Sequence, residues 1–325
     1  MFATLDGIRA AADRIAGIAR RTPLLDLRPL LALHVKCEQM QPIGAFKIRC
    51  AYNHIARLDK AVRQRGVITY SSGNHGQAVA FAAQRFGIAS LIVMPETAPA
   101  IKIDGARRWG AEVLLAGTTT MHRQARAEEE AERRGLVMVP PFDCLPIIEG
   151  QGTAGLELLE QLPAVRTVCI PVGGGGLISG VAAAIKQSDP TIRVVGVEPA
   201  GAAKMSRSLA AGAPITLASV ASVADGLLAV RPGVLNFLHV QAFVDDVVTV
   251  DDDAIVEAAR VLWETARIAV EPSGAAALAG ALAHLAEWQS EGPVVVVLSG
   301  GNVSLEALAR LFAAPPPPAA RPPGS

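Results

Sequence analysis

The chain has 325 residues, of which 51% are hydrophobic and only 4% are aromatic, and its 30 basic residues balance 30 acidic residues to a formal net charge of zero. A chain of this length can bury a sizeable core, either in two domains or in one large α/β unit. A balanced charge gives no strong field toward nucleic acid or an anionic membrane. We therefore expect a small-molecule partner, with neither nucleic acid nor a membrane as a partner.

Short β-branched runs alternate with helical patterns along the chain. This alternation is typical of parallel sheets with crossover helices, so the predicted fold class is α/β with mainly parallel twisted sheets. In chain order, the patterns predict a helix over 48–63, strands at 67–70, 90–94 and 113–115, a solvent-facing helix over 121–134, strands at 167–172 and 194–197, a helix over 253–267, a strand at 294–298 and a helix over 305–312.

The N-terminal segment and the cysteines indicate the compartment, and the C-terminal segment has a biased composition. The N-terminal segment lacks the basic and then apolar order of a signal peptide. The four cysteines have neither the paired spacing of a metal site nor the density of a disulfide scaffold. We expect free thiols in a cytoplasmic protein, and a disordered tail over the Pro-rich segment 315–325.

Four consecutive glycines, Gly173, Gly174, Gly175 and Gly176, lie between a predicted strand and a helical pattern. Residues without Cβ let backbone N–H groups approach an anion closely, and the positive end of a helix dipole adds to their attraction. The spacing matches neither a Walker loop nor a dinucleotide fingerprint. We interpret the segment as a phosphate-binding loop; the alternative is a tight turn that allows close helix–strand packing.

Two further loops follow predicted strands. Ser71–Gly76 supplies hydroxyls, an amide and backbone donors at a helix N-terminus, which suits a carboxylate ligand, although ordinary N-capping by serine is an alternative. Ser299–Asn302 follows the strand at 294–298. Ligands of open parallel sheets bind beyond the carboxyl ends of the strands, so we expect the three loops to meet in one crevice.

Lys47 lies between two apolar residues, Phe46 and Ile48, at the start of a predicted helix. Desolvation and the helix N-terminus both disfavour the charged ammonium, so they lower the pKa of this lysine and free a nucleophilic amine. The alternative is an ordinary lysine with an exposed head group. A cofactor that carries both a phosphate and an aldehyde would explain the lysine and the glycine loop together.

Seven short motifs occur along the chain, namely Gln41–Arg49, Ser71–Gln77, Gly150–Thr153, Pro171–Leu177, Gly196–Pro199, Glu271–Gly274 and Ser299–Asn302. In content and order they resemble those of the fold-type II pyridoxal 5'-phosphate (PLP) enzymes, specifically the threonine/serine dehydratase and serine racemase family. The resemblance covers about positions 20–312 and implies two open α/β domains of the tryptophan synthase beta type. It implies a large PLP-binding domain of residues 1–65 and 145–314, a small inserted domain of residues 66–144, and a homodimer.

The resemblance also implies roles for single residues. Lys47 would hold PLP as a Schiff base and then act as the catalytic base. The remaining cofactor contacts would come from Phe46 on the ring, Asn74 on the ring hydroxyl, Gly173, Gly174, Gly175, Gly176 and Leu177 on the phosphate, and Ser299 at the pyridine nitrogen. The substrate carboxylate and neighbouring groups would be bound by Ser71, Ser72, Gly73 and His75.

The implied activity is that of an ammonia-lyase, or dehydratase, which converts L-threonine or L-serine to a 2-oxo acid and ammonia by α,β-elimination. Ser72 matches the serine that serves racemases as a second acid–base group, so a serine or aspartate racemase is an alternative. Elimination from 3-hydroxyaspartate or an aromatic hydroxyamino acid is another alternative. A catalytically silent protein that binds PLP or an amino acid is the alternative outside the enzyme class.

We expect no metal ion. In the racemase branch, the metal site includes a glutamate that matches Glu198 and an acidic residue about six positions further on, where this chain has Lys204. An ammonium group at this position would repel a divalent cation bound beside it, so the resemblance does not extend to the metal.

Overall fold

The computed structural model describes residues 1–71 and 73–313. Ser72 and the Pro-rich segment 315–325, for which the sequence analysis made predictions, lie outside the described residues. Within the described part of the chain, no helix is both long and apolar enough to cross a membrane.

The larger of two sheets has six strands in the order β1-β2-β10-β7-β8-β9. β1 pairs with β2 antiparallel, and every other pairing in this sheet is parallel. The strands are β1 (Leu24–Asp26), β2 (His34–Cys37), β7 (Thr167–Pro171), β8 (Arg193–Pro199), β9 (Asp246–Val250) and β10 (Val294–Leu298).

The smaller sheet has four strands in the order β5-β4-β3-β6, and all of its pairings are parallel. The two sheets together confirm the predicted α/β class with mainly parallel strands. The strands of the smaller sheet are β3 (Val67–Tyr70), β4 (Ser90–Met94), β5 (Glu112–Leu115) and β6 (Val137–Met138).

Helices connect the parallel strands, as crossover connections require. They are α1 (Leu5–Ile15), α2 (Lys47–Ala56), α3 (Lys60–Arg63), α4 (Asn74–Phe86), α5 (Ala100–Arg108), α6 (Thr120–Arg134), α7 (Leu145–Gln161), α8 (Gly176–Ser188), α9 (Lys204–Ala211), α10 (Val234–Phe243), α11 (Asp252–Ala266), α12 (Pro272–Glu291) and α13 (Leu305–Ala313).

The helix predicted over 48–63 is interrupted. α2 ends at Ala56, and α3 begins only at Lys60, because Asp59 before it has an extended backbone with a ψ of 144°. α6 also differs from the prediction of a solvent-facing helix, since Arg123, Ala127 and Glu130 on one of its faces are buried. The apolar spacing alone did not show either feature.

One hydrophobic cluster joins α2 to the smaller sheet. Ile48 and Ile55 of α2 are fully buried with Val67 of β3 and Ala78 of α4. α2 was predicted to belong to the large domain, and it does contact α7 of that domain, where Asn53 Nδ2 donates to the carbonyl oxygen of Pro146 at 2.7 Å; the cluster shows that it packs on the small domain as well. The domain boundaries at 65/66 and 144/145 therefore stay a prediction.

Candidate active site

A cavity of about 680 Å³ lies where the three loops meet at the carboxyl ends of β3, β7 and β10. The structure brings together all the described residues that the sequence analysis assigned to the site, and only Ser72 is outside this statement. The predicted residues that line the cavity are Phe46, Lys47, Ser71, Gly73, Asn74, His75, Gly173, Gly174, Gly175, Gly176, Leu177 and Ser299.

Lys47 is the first residue of α2, and its amine lies in the wall of the cavity. The Nζ atom donates a hydrogen bond to the carbonyl oxygen of Pro141 at 2.6 Å and lies 5.1 Å from the centre of the Phe46 ring. Burial lowers the pKa of Lys47 below its ordinary value, because the charged form loses its hydration. Among residues 1–71 and 73–313, no carboxylate forms an ion pair with Lys47, so its amine is available for chemistry.

The glycine loop connects β7 to α8 and is held from its carbonyl side. The carbonyl oxygen of Gly174 accepts hydrogen bonds from the Gly233 N–H at 3.0 Å and from Asn236 Nδ2 at 3.1 Å. Within the described residues, the N–H groups of Gly174 and Gly175 have no protein acceptor. Unpaired donors at a helix N-terminus suit an anion such as a phosphate.

Two of the glycines cannot easily be replaced by another residue. A Cβ atom on Gly174 would lie 2.4 Å from a ring carbon of Phe142, and Gly175 has a φ of +102°, which favours glycine. Phe142, which the sequence analysis did not single out, therefore packs directly on the loop that it helps to shape.

The Ser71 side chain bonds to the start of α4, whose N-cap residue is Gly73. Its Oγ accepts hydrogen bonds from the N–H groups of Gly73 and Gly76, both at 3.0 Å. The predicted contact between Ser71 and the substrate stays a prediction. His75 is buried with its Nε2 atom 3.2 Å from the carbonyl oxygen of Val139, and burial holds the pKa of this histidine well below its usual range.

The side chain of Asn74 is fixed on both sides by other residues. Its Nδ2 atom donates to Glu271 Oε1 at 2.5 Å, and its Oδ1 atom accepts from Asn302 Nδ2 at 2.9 Å. Burial raises the pKa of Glu271, although the nearby Lys102 opposes this effect. The amide is thus held in one orientation at the cavity wall.

An ion-paired cluster, which we call the Lys102 cluster, consists of Lys102, Asp225 and Glu271. The Nζ atom of Lys102 lies 2.5 Å from Asp225 Oδ2 and 3.6 Å from Glu271 Oε2. Burial alone would lower the pKa of Lys102, but the charges of Glu271 and Asp225 together raise it. The cluster joins α5 to the short helix Asp225–Leu227 and to Glu271, the residue before α12. The cluster was not predicted, because Lys102 and Asp225 are 123 positions apart and neither lies in a glycine-rich loop.

Ser299 is buried directly after β10, and its Oγ atom donates a hydrogen bond to the carbonyl oxygen of Ser273 at 3.4 Å. The carbonyl oxygen of Ser299 accepts a hydrogen bond from the Phe46 N–H at 3.1 Å, which places this strand end directly beside Lys47. The Ser299 side chain presents a neutral hydroxyl group to the cavity.

Glu198 and Lys204 form an ion pair in which both side chains are fully buried. The Nζ atom of Lys204 lies 3.3 Å from Glu198 Oε2. Over the described ranges, no group of three or more His, Cys, Asp or Glu side chains is arranged to hold a metal ion. The absence of a metal site stays a prediction for the protein as a whole.

Comparisons with known proteins agree with this geometry. The family model for "Pyridoxal-phosphate dependent enzyme" matches residues 15–300. Serine racemase from Oryza sativa subsp. indica is 43% identical over 315 residues, which cover 94% of this chain and 93% of that protein. L-threonine ammonia-lyase from Thermotoga maritima is 40% identical, with 95% of this chain and 78% of that protein covered. The solved structure of maize serine racemase has a TM-score of 0.91 and 42% identity, and the match covers 96% of this chain and 97% of that one.

Proposed function

The chain belongs to the family of pyridoxal-phosphate dependent enzymes, and from this premise we propose that it is an ammonia-lyase acting on L-threonine and L-serine. The recognition of a fold-type II enzyme with PLP as its cofactor is confirmed by the family match and the related structures. The observation that carries the proposed activity is the Lys47 amine, which lines the same cavity as the glycine loop, with a lowered pKa and no carboxylate partner among the described residues.

The cavity residues fit PLP by their chemistry. The amine of Lys47 suits the aldehyde of the cofactor, and the unpaired N–H groups of Gly174 and Gly175 suit its phosphate. The Ser299 hydroxyl suits an unprotonated pyridine nitrogen, and the fixed amide of Asn74 suits the ring hydroxyl. A side chain at position 174 would collide with Phe142, so the glycine loop leaves its backbone N–H groups open to a ligand.

PLP, when bound, withdraws electrons from the Cα atom of an attached amino acid and so makes its Cα–H bond acidic. Lys47 would serve as the base that removes this proton, and burial favours its neutral amine by lowering its pKa. The carbonyl oxygen of Pro141 orients the amine. Overall, serine or threonine loses its β-hydroxyl as water, and hydrolysis then gives the 2-oxo acid and ammonia.

Serine racemase is a second candidate, because serine racemases and threonine ammonia-lyases are similar to this chain at nearly the same identity. Racemisation needs an acid–base group on each face of Cα, whereas elimination needs only Lys47 on one face. Ser72 is the residue we propose for the second face. Elimination from 3-hydroxyaspartate uses the same base and stays a further alternative. The homodimer and the cytoplasmic location stay predictions.

The deciding experiment incubates PLP-loaded enzyme with L-threonine, L-serine, D-serine and threo-3-hydroxyaspartate, and measures 2-oxo acid and amino-acid chirality together. We expect 2-oxo acid from L-threonine and L-serine, and none from the Lys47→Ala variant. Ser72→Ala is the matched variant for the opposite face, and it should leave elimination in place if Lys47 is its base.

Other outcomes assign other functions. Loss of chirality without 2-oxo acid, abolished by Ser72→Ala, would identify a racemase. 2-oxo acid from 3-hydroxyaspartate alone would move the activity to that substrate. Bound PLP without turnover of any of the four compounds would contradict the proposal and favour a binding protein.

A further inference from the structure

Lys204 is a fully buried cation close to the glycine loop, and no step of the proposed elimination uses it. It is the first residue of α9, and its side chain is 0% exposed. The burial of a lysine ammonium is costly unless it is paired and hydrogen-bonded. Its partners therefore indicate what its charge does.

The Nζ atom of Lys204 has three oxygen neighbours from three segments. It donates to the carbonyl oxygen of Val172 at 2.6 Å and to that of Leu227 at 3.2 Å, and it lies 3.3 Å from Glu198 Oε2. Val172 directly precedes the glycine loop, and Leu227 ends the short helix Asp225–Leu227. One ammonium thus ties the start of the loop to the segment that packs against it.

The segment on the Leu227 side also contacts the loop directly. A Cβ atom on Gly173 would lie 3.2 Å from the carbonyl oxygen of Gly226, so the two backbones are in close contact. The Gly226 N–H in turn donates to Ser273 Oγ at 2.8 Å. A shift of Leu227 away from Val172 would therefore also move the Gly226 backbone against which Gly173 packs.

Glu198 is itself fixed by hydrogen bonds beside the Lys204 ammonium. Its carboxylate accepts hydrogen bonds from the N–H groups of Met205 at 3.0 Å and Ser206 at 2.8 Å, and from the Ser206 hydroxyl at 2.8 Å. The Glu198 carboxylate, 3.3 Å from Nζ, favours the charged form of Lys204, although burial lowers the pKa of this lysine to about 8. The carboxylate and both carbonyl oxygens therefore face a positive charge.

We propose that Lys204 is a positioning residue that acts as a built-in cation, holding the glycine loop in the conformation that binds the cofactor phosphate. The inference rests on the proposed role of that loop. It predicts that removal of the ammonium leaves three oxygen atoms around an empty space, which a small cation from solution can enter. The effect appears in PLP affinity and not only in turnover.

The test is an equilibrium titration of apo-protein with PLP, followed by visible absorbance. Lys204→Met should weaken PLP binding by about 10-fold or more, the size expected for one charge-assisted hydrogen bond. The matched control is Lys186→Met, which removes an ammonium that is also bonded to a carboxylate and a carbonyl oxygen but lies at the far end of α8. This control should leave the affinity unchanged.

Cation rescue separates positioning from general stabilisation. Lys204→Ala should regain PLP affinity in potassium chloride but not in tetramethylammonium chloride at the same ionic strength, because the larger ion does not fit the space of a lysine head group. Wild type should respond equally to both salts. Equal PLP affinities of Lys204→Ala in the two salts would overturn the proposal. This test does not depend on Lys204→Met, so it still applies if that variant does not fold.

A further variant tests the loop itself. Gly174→Ala should lose PLP affinity in the same titration, because its Cβ atom would meet Phe142. If Gly174→Ala binds PLP normally, the glycine loop is not the phosphate site. If Gly174→Ala loses affinity while Lys204→Met and Lys186→Met behave alike, only the role of Lys204 is wrong.

Discussion

The environments of Lys47 and Lys204 share one kind of contact and differ in their charged neighbours. Each ammonium donates at 2.6 Å to a backbone carbonyl oxygen, of Pro141 and of Val172 respectively. Lys204 also faces the buried carboxylate of Glu198, whereas Lys47 has no carboxylate in an ion pair within the described ranges. Burial lowers the pKa of both lysines, but at Lys204 the charge of Glu198 opposes this effect. The comparison indicates that a carboxylate partner favours the charged form of a buried lysine, and that its absence favours the neutral amine.

The largest expected effect comes from giving Lys47 the partner that Lys204 has. Cys50 lies one helical turn after Lys47, and its Sγ atom is 3.3 Å from the Lys47 carbonyl oxygen. An aspartate there should raise the pKa of Lys47 by about 1–3 units, so the share of neutral amine would fall on the order of 10- to 1000-fold. We expect Cys50→Asp to lose 2-oxo acid formation by a factor in this range.

Cys50→Ser is the matched control for that variant, since it keeps a small polar side chain without a charge. It should retain activity, and both proteins should show the same far-UV circular dichroism. Full activity in a folded Cys50→Asp protein would break the comparison, because a carboxylate beside Lys47 would then have no influence on its amine.

The converse change removes the partner of Lys204. Glu198→Gln leaves a buried ammonium without its carboxylate, and we expect the free energy of unfolding in urea to fall by about 3–5 kcal/mol. In the Glu198→Gln/Lys204→Met double variant, the loss should be smaller than the sum of the two single losses. Strictly additive losses would show that the two side chains do not interact, despite their 3.3 Å separation.

A smaller effect should appear in the pH dependence of cofactor capture by apo-protein. Only the neutral amine attacks an aldehyde, and burial lowers the pKa of Lys47 below the ordinary 10.5. The rate of capture should therefore rise with pH and level off below pH 10.5, while the reaction of PLP with N-acetyl-lysine continues to rise. Stopped-flow absorbance measures both, and matching profiles would mean that the Lys47 environment does not perturb its amine.

The sequence predicted the parts of the molecule that depend on local patterns. The strand at 294–298 is found as predicted, and the helix after the glycine loop extends over Gly176–Ser188. β2 was not predicted, because its four residues include His34 and Lys36, whose burial depends on partners far along the chain. Lys36, for instance, is bonded to Glu157 at 2.6 Å.

The same limit applies to the site. Lys47, the glycine loop and Ser299 stand in short motifs, and the structure places them around one cavity. The Lys102 cluster and Phe142 were missed, because their neighbours come from other segments and no spacing indicates them. Glu198 and Lys204 were compared only as a departure from a metal site, while their bonds to Val172 and Leu227 became visible in three dimensions.

The pairing of β2 with β10 has a consequence for how the chain folds. His34 is in register with Val295, so strands about 260 positions apart are neighbours in the middle of the larger sheet. All strands of the smaller sheet, in contrast, lie between Val67 and Met138. Such distant pairing carries a high loop-closure entropy and slows folding. During synthesis the smaller sheet can form early, while the larger sheet, and with it the Ser299 side of the cavity, is complete only after β10 has left the ribosome.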